Sequence, residues 1–389
     1  MKSTPHILHV FSTFKQAGPQ VRTVDILNRL AGSYRHTVMA MDGHFEAAEG
    51  IRQSAEVRTL APPPRRSSLV YPLTFRGLIR ELRPDLVETY NWGAMDALAG
   101  ARLASVCPIV HTEDGFNPDE VVRLKKRRVW ARRALLNGIY QTVVVSNVLL
   151  DIALKQYGLR PDKVQHIPNG VDVQRFRPAM PRSRRQELGI AESTLLFGYL
   201  GHLRPEKNLA LLLSAFAEAR LENAVLVFVG DGASRGELEA LTQKLGLGAR
   251  VRFAGFYPDP APWLAAFDVF AMSSLSEQAP ISLLEAMACG LPVVATAAGD
   301  TRAILPPAQS PFVVPLNERP AYSRALRQIA ENSDLRRDLG RQNRERAERN
   351  FSVEAMVSRY ERVWQGAISS YGASDLAQLL TVEDCDARK

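Results

Sequence analysis

Cysteine is scarce in this 389-residue chain, and the three present, Cys107, Cys289 and Cys385, are far apart and odd in number. That argues against a disulfide scaffold and against a cysteine-based metal cluster, and it points to a reducing compartment. No run approaches the ~20 apolar residues needed to cross a bilayer. The opening Met1-Lys2-Ser3-Thr4-Pro5-His6 leads straight into a short apolar run, without the long apolar core of a secretion signal. Zinc-finger spacing, a helix-turn-helix signature and aromatic–basic interleaving are also missing, so nucleic acid is not an expected partner. Asp384-Cys385-Asp386 looks like a metal-binding triplet only superficially, because it lies in a stretch read as frayed tail. No metal is expected.

What is present is ordinary globular composition, with 46% hydrophobic and 23% charged residues. The length favours two domains. Lys and Arg number 49 against 41 Asp and Glu, a net charge of +8. Such a balance favours polyanionic partners, whether phosphorylated substrates or an anionic membrane surface.

Strand-like and helix-like runs alternate along the chain. Ile7 to Phe11 reads as a buried strand, Val21 to Leu30 as a helix, and His36 to Met41 as the next strand. Further strands are expected at 84–90, 108–112 and 142–146. The chain turns polar and basic around 178–185, and the alternation then restarts at Leu195 to Leu200. Helix 209–219, strand 224–229, helix 236–245, strand 251–253, helix 261–266, strand 269–272 and strand 292–296 follow. This is α/β architecture: two doubly wound, Rossmann-like domains facing across a cleft. The expected bounds are 1–178 and 190–352, then a helix over 353–370 that crosses back to the first domain, then a tail over 371–389. Met356, Tyr360, Val363 and Trp364 are the apolar anchors of that helix.

The chemistry concentrates in the second half. Gly201-His202-Leu203-Arg204-Pro205-Glu206-Lys207 follows a buried strand and supplies cations for a diphosphate. A solvated loop ahead of a helix is the plainer reading. Val229-Gly230-Asp231-Gly232 has glycines at a strand end but not the third glycine of a dinucleotide fingerprint, so a tight turn explains it as well. Glu277 and Glu285 are separated by seven residues, the first on a loop, the second inside Leu283-Leu284-Glu285-Ala286-Met287-Ala288. A carboxylate in so apolar a run calls for a partner, and carboxylates accept hydrogen bonds from sugar hydroxyls. A helix starting near Pro280 aims its first amides at an anion.

The first half offers less. Gly18 sits in a tight strand-to-helix loop and permits close approach of a ligand. His111 ends a strand and reads equally as a cleft histidine or a structural one. Ser146-Asn147 reads as a helix cap as readily as a site. Residues 121–136 crowd seven basic side chains among Val121, Leu124, Val129, Leu135 and Leu136. A membrane-facing basic helix, a solvated helix face and a clamp for an anionic acceptor all fit.

The chain resembles the retaining glycosyltransferase family 4, of the GT-B class, over residues 6–365. The resemblance rests on Gly201-His202-Leu203-Arg204-Pro205-Glu206-Lys207-Asn208, on Val229 to Gly232, on Ile167-Pro168-Asn169-Gly170-Val171-Asp172, and above all on Glu277, Glu285 and Ala286-Met287-Ala288-Cys289-Gly290-Leu291-Pro292-Val293-Val294. Gly18-Pro19-Gln20-Val21-Arg22 looks like the glycine loop of the bacterial polysaccharide and glycoconjugate enzymes. The resemblance implies a metal-independent transferase of a hexosyl or N-acetylhexosaminyl group, without a cofactor. It implies a nucleotide-sugar donor, UDP-sugar before GDP-sugar, and a glycan, lipid-linked or small-molecule acceptor on the first domain. Lys207 and Arg204 would take the diphosphate, Glu277 the transferred sugar, Glu285 the ribose, and His111 would orient the sugar. Gly18, His202, Gly230, Ala279, Pro280 and Ile281 complete the expected donor site. Three positions depart from the family pattern: His202 stands where arginine is common, Gln278 where glycine is common, and Ala17 precedes Gly18. The expected location is cytoplasmic, with peripheral contact on the inner face of the cell membrane. A sugar-nucleotide epimerase and a non-catalytic carbohydrate- or membrane-binding protein of the same architecture are the alternatives.

Overall fold

In the computed structural model the chain divides into two compact units, Met1–Pro168 with Ala355–Lys389, and Asn169–Glu354. The structure describes residues 4–64, 67, 70–116, 120, 124–178 and 183–386, with side chains as far as 371.

The first unit is built on a parallel sheet of β1 (His6–Phe11), β2 (Arg35–Ala40), β3 (Glu56–Leu60), β4 (Leu86–Tyr90), β5 (Ile109–Glu113), β6 (Gln141–Val144) and β7 (Val164–His166). Its order is β3-β2-β1-β4-β5-β6-β7. Connecting helices are α1 (Gly18–Arg29), α2 (Tyr71–Leu82), α3 (Met95–Ala104), α4 (Lys126–Leu136) and α5 (Asn147–Lys155). β1 is central: Ile7 pairs in register with His36 on one side and Leu86 on the other. Strands buried on both faces read as continuous apolar runs, which is why the central ones are legible from sequence. β3, with its mostly exposed Glu-Val-Arg-Thr-Leu, has no such run and escapes that reading. Ser146 is a helix cap: its Oγ accepts from the Leu149 amide at 3.1 Å.

The second unit repeats the plan. β8 (Leu195–Leu200), β9 (Ala224–Val229), β10 (Val251–Gly255), β11 (Val269–Met272), β12 (Val293–Thr296) and β13 (Val313–Val314) form a parallel sheet ordered β10-β9-β8-β11-β12-β13. Its helices are α6 (Ser183–Glu187), α7 (Leu209–Ala219), α8 (Arg235–Lys244), α9 (Ala261–Ala266), α10 (Ile281–Ala288), α11 (Thr301–Ile304), α12 (Arg319–Glu331) and α13 (Ser333–Asn350). One continuous core joins Phe197, Leu212, Phe216, Leu226, Phe228, Val269, Tyr322 and Leu326.

α14 (Val353–Asp386) begins at the end of the second unit and returns to the first. It runs well past residue 370, the end expected from the sequence. Met356, Tyr360, Val363 and Trp364 are all buried. Trp364 Nε1 donates to Glu88 Oε2 at 2.8 Å, and Thr112 Oγ1 donates to Glu88 Oε1 at 2.9 Å. Beside them His9 links Tyr90 and His36, each at 3.0 Å. Burial pushes the Glu88 carboxyl up to about 7 and the His36 imidazole down to about 3. These groups fill polar positions that the anchor pattern of α14 does not reveal.

Candidate active site

The second unit's sheet reverses direction between β8 and β11: the chain winds outward through β9 and β10, then returns to the other side of β8. Loops leaving the carboxyl ends of strands at such a switch point diverge and leave a crevice for a ligand. The loop after β8 carries Gly201 to Asn208, and the loop after β11 carries Ser273 to Pro280. This topology is what brings Lys207 and Glu277 together across seventy residues of sequence.

Lys207 Nζ lies 2.5 Å from Glu277 Oε1. Lys207 is 23% exposed and Glu277 10%, so the pair is reachable but partly shielded from solvent. Ser274 Oγ also donates to Glu277 Oε1, at 2.7 Å, and so helps to hold the carboxylate. The two loops are tied together: Leu275 N donates to the Glu206 carbonyl at 2.8 Å, and Ser273 Oγ sits 3.0 Å from the carbonyls of both Lys207 and Asn208. A further loop braces the acidic one. A Cβ on Gly299, whose φ is +52°, would lie 2.0 Å from the Glu277 carbonyl, and Asp300 N donates to the Gln278 carbonyl at 3.1 Å. Asn169 Nδ2 donates to the Ala279 carbonyl at 2.7 Å. Ser274, Gly299 and Asn169 are therefore positioning residues that no charge pattern reveals. The signal for Ser274 and Gly299 is the run of small residues directly after β11 and β12, and Asn169 belongs to the Ile167 to Asp172 motif.

Pro280 caps α10 without a side-chain acceptor, and Ile281 opens the helix. The first amides of α10 are thus not consumed by a cap, a geometry suited to an anion. Glu285 is buried within α10. Arg204 is 53% exposed, and its guanidinium lies 4.0 Å from Glu206. His202 accepts the Tyr199 hydroxyl on its carbonyl at 3.0 Å. Gly230 has a structural reason of its own: at φ +135° a Cβ there would lie 1.9 Å from the Gly201 carbonyl. The two glycine turns nest against each other, so tight-turn geometry accounts for both.

Gly18 opens α1 in the first unit. His111 is 0% exposed, with Nδ1 2.8 Å from Thr89 Oγ1 and Nε2 3.2 Å from Glu113 Oε1. Both ring nitrogens are engaged inside the unit, which favours the structural reading of this histidine. The basic stretch also divides. Val121, Val122 and Arg123 lie outside the described residues. Arg132 is buried against Glu113 at 2.6 Å, and Arg128 against Glu120 at 2.8 Å. Lys126, Arg127 and Arg133 remain exposed, with Trp130 66% exposed under the Arg133 guanidinium. Two of the seven basic side chains, Arg128 and Arg132, are therefore taken into internal ion pairs.

Comparison with known proteins settles the family. The model described as Glycosyltransferase Family 4 matches residues 17–175, and the model described as Glycosyl transferases group 1 matches residues 182–346. The chain belongs to glycosyltransferase family 4. Among its curated relatives is the UDP-Gal:alpha-D-GlcNAc-diphosphoundecaprenol alpha-1,3-galactosyltransferase of Escherichia coli, 29% identical over 66% of this chain and 69% of that one. The putative glycosyltransferase EpsD of Bacillus subtilis is 32% identical over 53% of this chain and 56% of the relative. Among solved structures, Anabaena Alr3699/HepE in complex with UDP superposes with a TM-score of 0.80 at 21% identity, covering 93% of this chain and all of that one (100%). The family's GT-B fold, two Rossmann-like α/β units, is the fold found here. Among the described residues no group of three or more His, Cys, Asp and Glu is arranged to hold a metal ion. No described helix is long and apolar enough to cross a membrane.

Proposed function

We propose that the protein is a retaining transferase that moves a hexosyl or N-acetylhexosaminyl group from a UDP-sugar to a glycan or lipid-linked acceptor. The observation that carries this reading is the Lys207–Glu277–Ser274 cluster at the switch point of the second unit. A nucleotide sugar presents a diphosphate and a polyol side by side, and here a cation and a carboxylate stand side by side. Lys207 takes the diphosphate and offsets the charge that grows on it as the glycosidic bond breaks. The free amides of α10 add partial positive charge to the same end. Glu277 accepts hydrogen bonds from the sugar, and Glu285 is assigned to the ribose. Arg204, more exposed, closes on the phosphates once they are present. His111 acts through Glu113 as a support of the β5 end rather than as a sugar contact.

The donor assignment draws on the UDP named in the HepE complexes and the UDP-Gal named in the Escherichia coli relative. It is tested by calorimetry with UDP, GDP and ADP, followed by turnover of the corresponding sugars in chelator. UDP binding with turnover of one UDP-sugar is the expected result; a folded protein that binds none of the three returns the reading to a non-catalytic binder. Product formed without any acceptor, as a second nucleotide sugar, would favour the epimerase.

A lipid-linked acceptor implies a membrane surface, and the exposed Lys126, Arg127, Arg133 and Trp130 of α4 fit one. Each basic side chain near an anionic leaflet contributes about 1 kcal/mol. The double variant Arg127→Glu/Trp130→Ala is expected to lower the partition onto phosphatidylglycerol vesicles by about 10-fold or more at low salt, without changing UDP affinity. Unchanged sedimentation with vesicles would remove α4 from the account.

A further inference from the structure

The first unit also has a switch point, between β1 and β4, and the turn that leaves β4 there is held in a conformation its residue disfavours. Asn91 has φ +55° and ψ −175°, a region that side-chain-bearing residues rarely adopt. Such strain persists only where the surroundings over-determine it, and here three separate contacts do so. The Asn91 side chain spans Asp114 at the end of β5: its Oδ1 accepts from the Asp114 amide at 2.7 Å, and its Nδ2 faces Asp114 Oδ2 at 3.4 Å. The next residue, Trp92, lies beneath two guanidinium groups, Arg128 at 5.0 Å and Arg132 at 5.1 Å from the ring centre. Gly93 is pressed against the loop after β1, where a Cβ would come within 2.2 Å of Ser12 Cβ.

Asp114 is fixed from a third element. Arg22 of α1 grips both carboxylate oxygens, through Nη1 to Oδ1 and through Nη2 to Oδ2 at 3.2 Å. The Arg22 guanidinium is itself backed by the Tyr360 ring of α14 at 5.5 Å. A carboxylate has about four acceptor positions; among the described residues three are directed at Arg22 and Asn91, which leaves one on Oδ1. Gln20 of α1 is buried, with Nε2 bound to the Thr13 carbonyl at 2.9 Å and its Oε1 without a hydrogen-bond partner among the described residues. A strained turn and a locked carboxylate thus meet at the carboxyl ends of β4 and β5, and the buried Gln20 amide is tied to the loop after β1. None of them is needed to hold the nucleotide site of the second unit.

We infer that the Asn91 turn and Asp114 form the acceptor-hydroxyl cradle of this enzyme. Asp114 Oδ1 accepts the hydrogen bond of a sugar hydroxyl on the acceptor, Asn91 and Arg22 are its positioning residues, and the strain at Asn91 maintains an orientation that a relaxed turn would lose. Holding the hydroxyl in line is what separates transfer to a sugar from transfer to water, which is small enough to need no cradle. The inference rests on the donor reading above, and the two are separable by experiment.

The test compares the wild type with Asn91→Gly, which keeps the backbone conformation without strain, and with Asp114→Asn. UDP affinity is measured by calorimetry. UDP release from the competent UDP-sugar is then partitioned between hydrolysis and transfer. The acceptor probes are a short-chain GlcNAc-diphospho-lipid and the methyl glycosides of glucose, galactose and GlcNAc. Expected are UDP affinity and hydrolysis within about 2-fold of wild type for Asn91→Gly and a transfer-to-hydrolysis ratio about 30-fold lower, most of it in the acceptor KM. Asp114→Asn should lower the ratio at least as far, with its melting temperature checking that Arg22 tolerates the change. An unchanged ratio overturns the inference, as do parallel losses of UDP affinity and of transfer. A wild type that hydrolyses its donor but transfers to none of the probes overturns the assignment to a sugar hydroxyl. A wild type that does not bind UDP removes the donor reading first, and this one with it.

Discussion

Replacing Lys207 by alanine is expected to lower kcat/KM by a factor of about 100 to 1000, comparable to deleting one preorganised donor to a developing anion. UDP affinity should fall as well, because the diphosphate charge is present before and after the bond breaks. Glu277→Gln keeps the shape and the contact with Ser274 but loses the charge that pairs with Lys207. Its cost should appear in kcat, with UDP affinity nearly intact, because UDP lacks the sugar. The double variant is expected to cost less than the product of the two single effects, since each single change already disrupts the 2.5 Å pair. Strictly multiplicative losses would show that the two side chains act independently, against the site described here. Circular dichroism and melting curves check that the fold survives, and it should: both side chains project from loops, and neither belongs to the core.

The second large effect concerns stability and lies in the first unit. Glu113 is buried between His111 and Arg132. Burial alone would push its carboxyl up, but the Arg132 guanidinium and His111 outweigh burial and bring it from 4.5 down to about 2. A carboxylate depressed in the folded state contributes stability that is complete above its unfolded value and is lost as the pH falls through the folded one. The window therefore runs from about 4.5 down to about 2, and the contribution is on the order of 3 kcal/mol. Glu113→Gln should remove that part of the acid-unfolding slope. At neutral pH it should also cost about 3–5 kcal/mol, because Arg132 is left buried without its carboxylate. Urea unfolding of both proteins at pH 7 and at stations between pH 5 and 3 makes the comparison. A variant as stable as the wild type at pH 7 would show that solvent or Glu120 takes over Arg132.

Titratable groups elsewhere should leave this comparison undisturbed. The two buried cysteines, Cys107 and Cys289, are pushed up to about 12, chiefly by burial, and stay protonated throughout. Glu88, pushed up to about 7, works in the opposite sense. Its proton is bound more tightly in the folded state, so its contribution diminishes as the pH rises from the ordinary carboxylate range toward 7. The subtraction of variant from wild type cancels it.

Much of the fold could be read directly from the residues. Central strands such as Leu195–Leu200 and Val269–Met272, and helices such as Leu209–Ala219, were legible because burial on both faces imposes long apolar runs and a helix face imposes a fixed spacing. The acidic and basic motifs of the second half were legible because charge beside an apolar strand is conspicuous. Edge strands such as Glu56–Leu60 were not, since a half-exposed strand carries no such run. Nor was the fate of Arg128 and Arg132: the sequence shows a basic cluster, and only packing against Glu120 and Glu113 turns two of its members inward. His111 met the same limit, its ring held by Thr89 on a neighbouring strand.

By itself, then, the sequence determined the architecture, the family and the kinds of group available for chemistry, because each is a property of local pattern. Which of those groups meet was decided by the tertiary structure. Lys207 reaches Glu277 because β8 and β11 are neighbours in the sheet, and Asp114 is gripped by Arg22 and Asn91 because three strand ends converge. The physical reason is that parallel strands joined by crossovers place residues far apart in the chain at one edge of the sheet, and no spacing along the sequence encodes that adjacency.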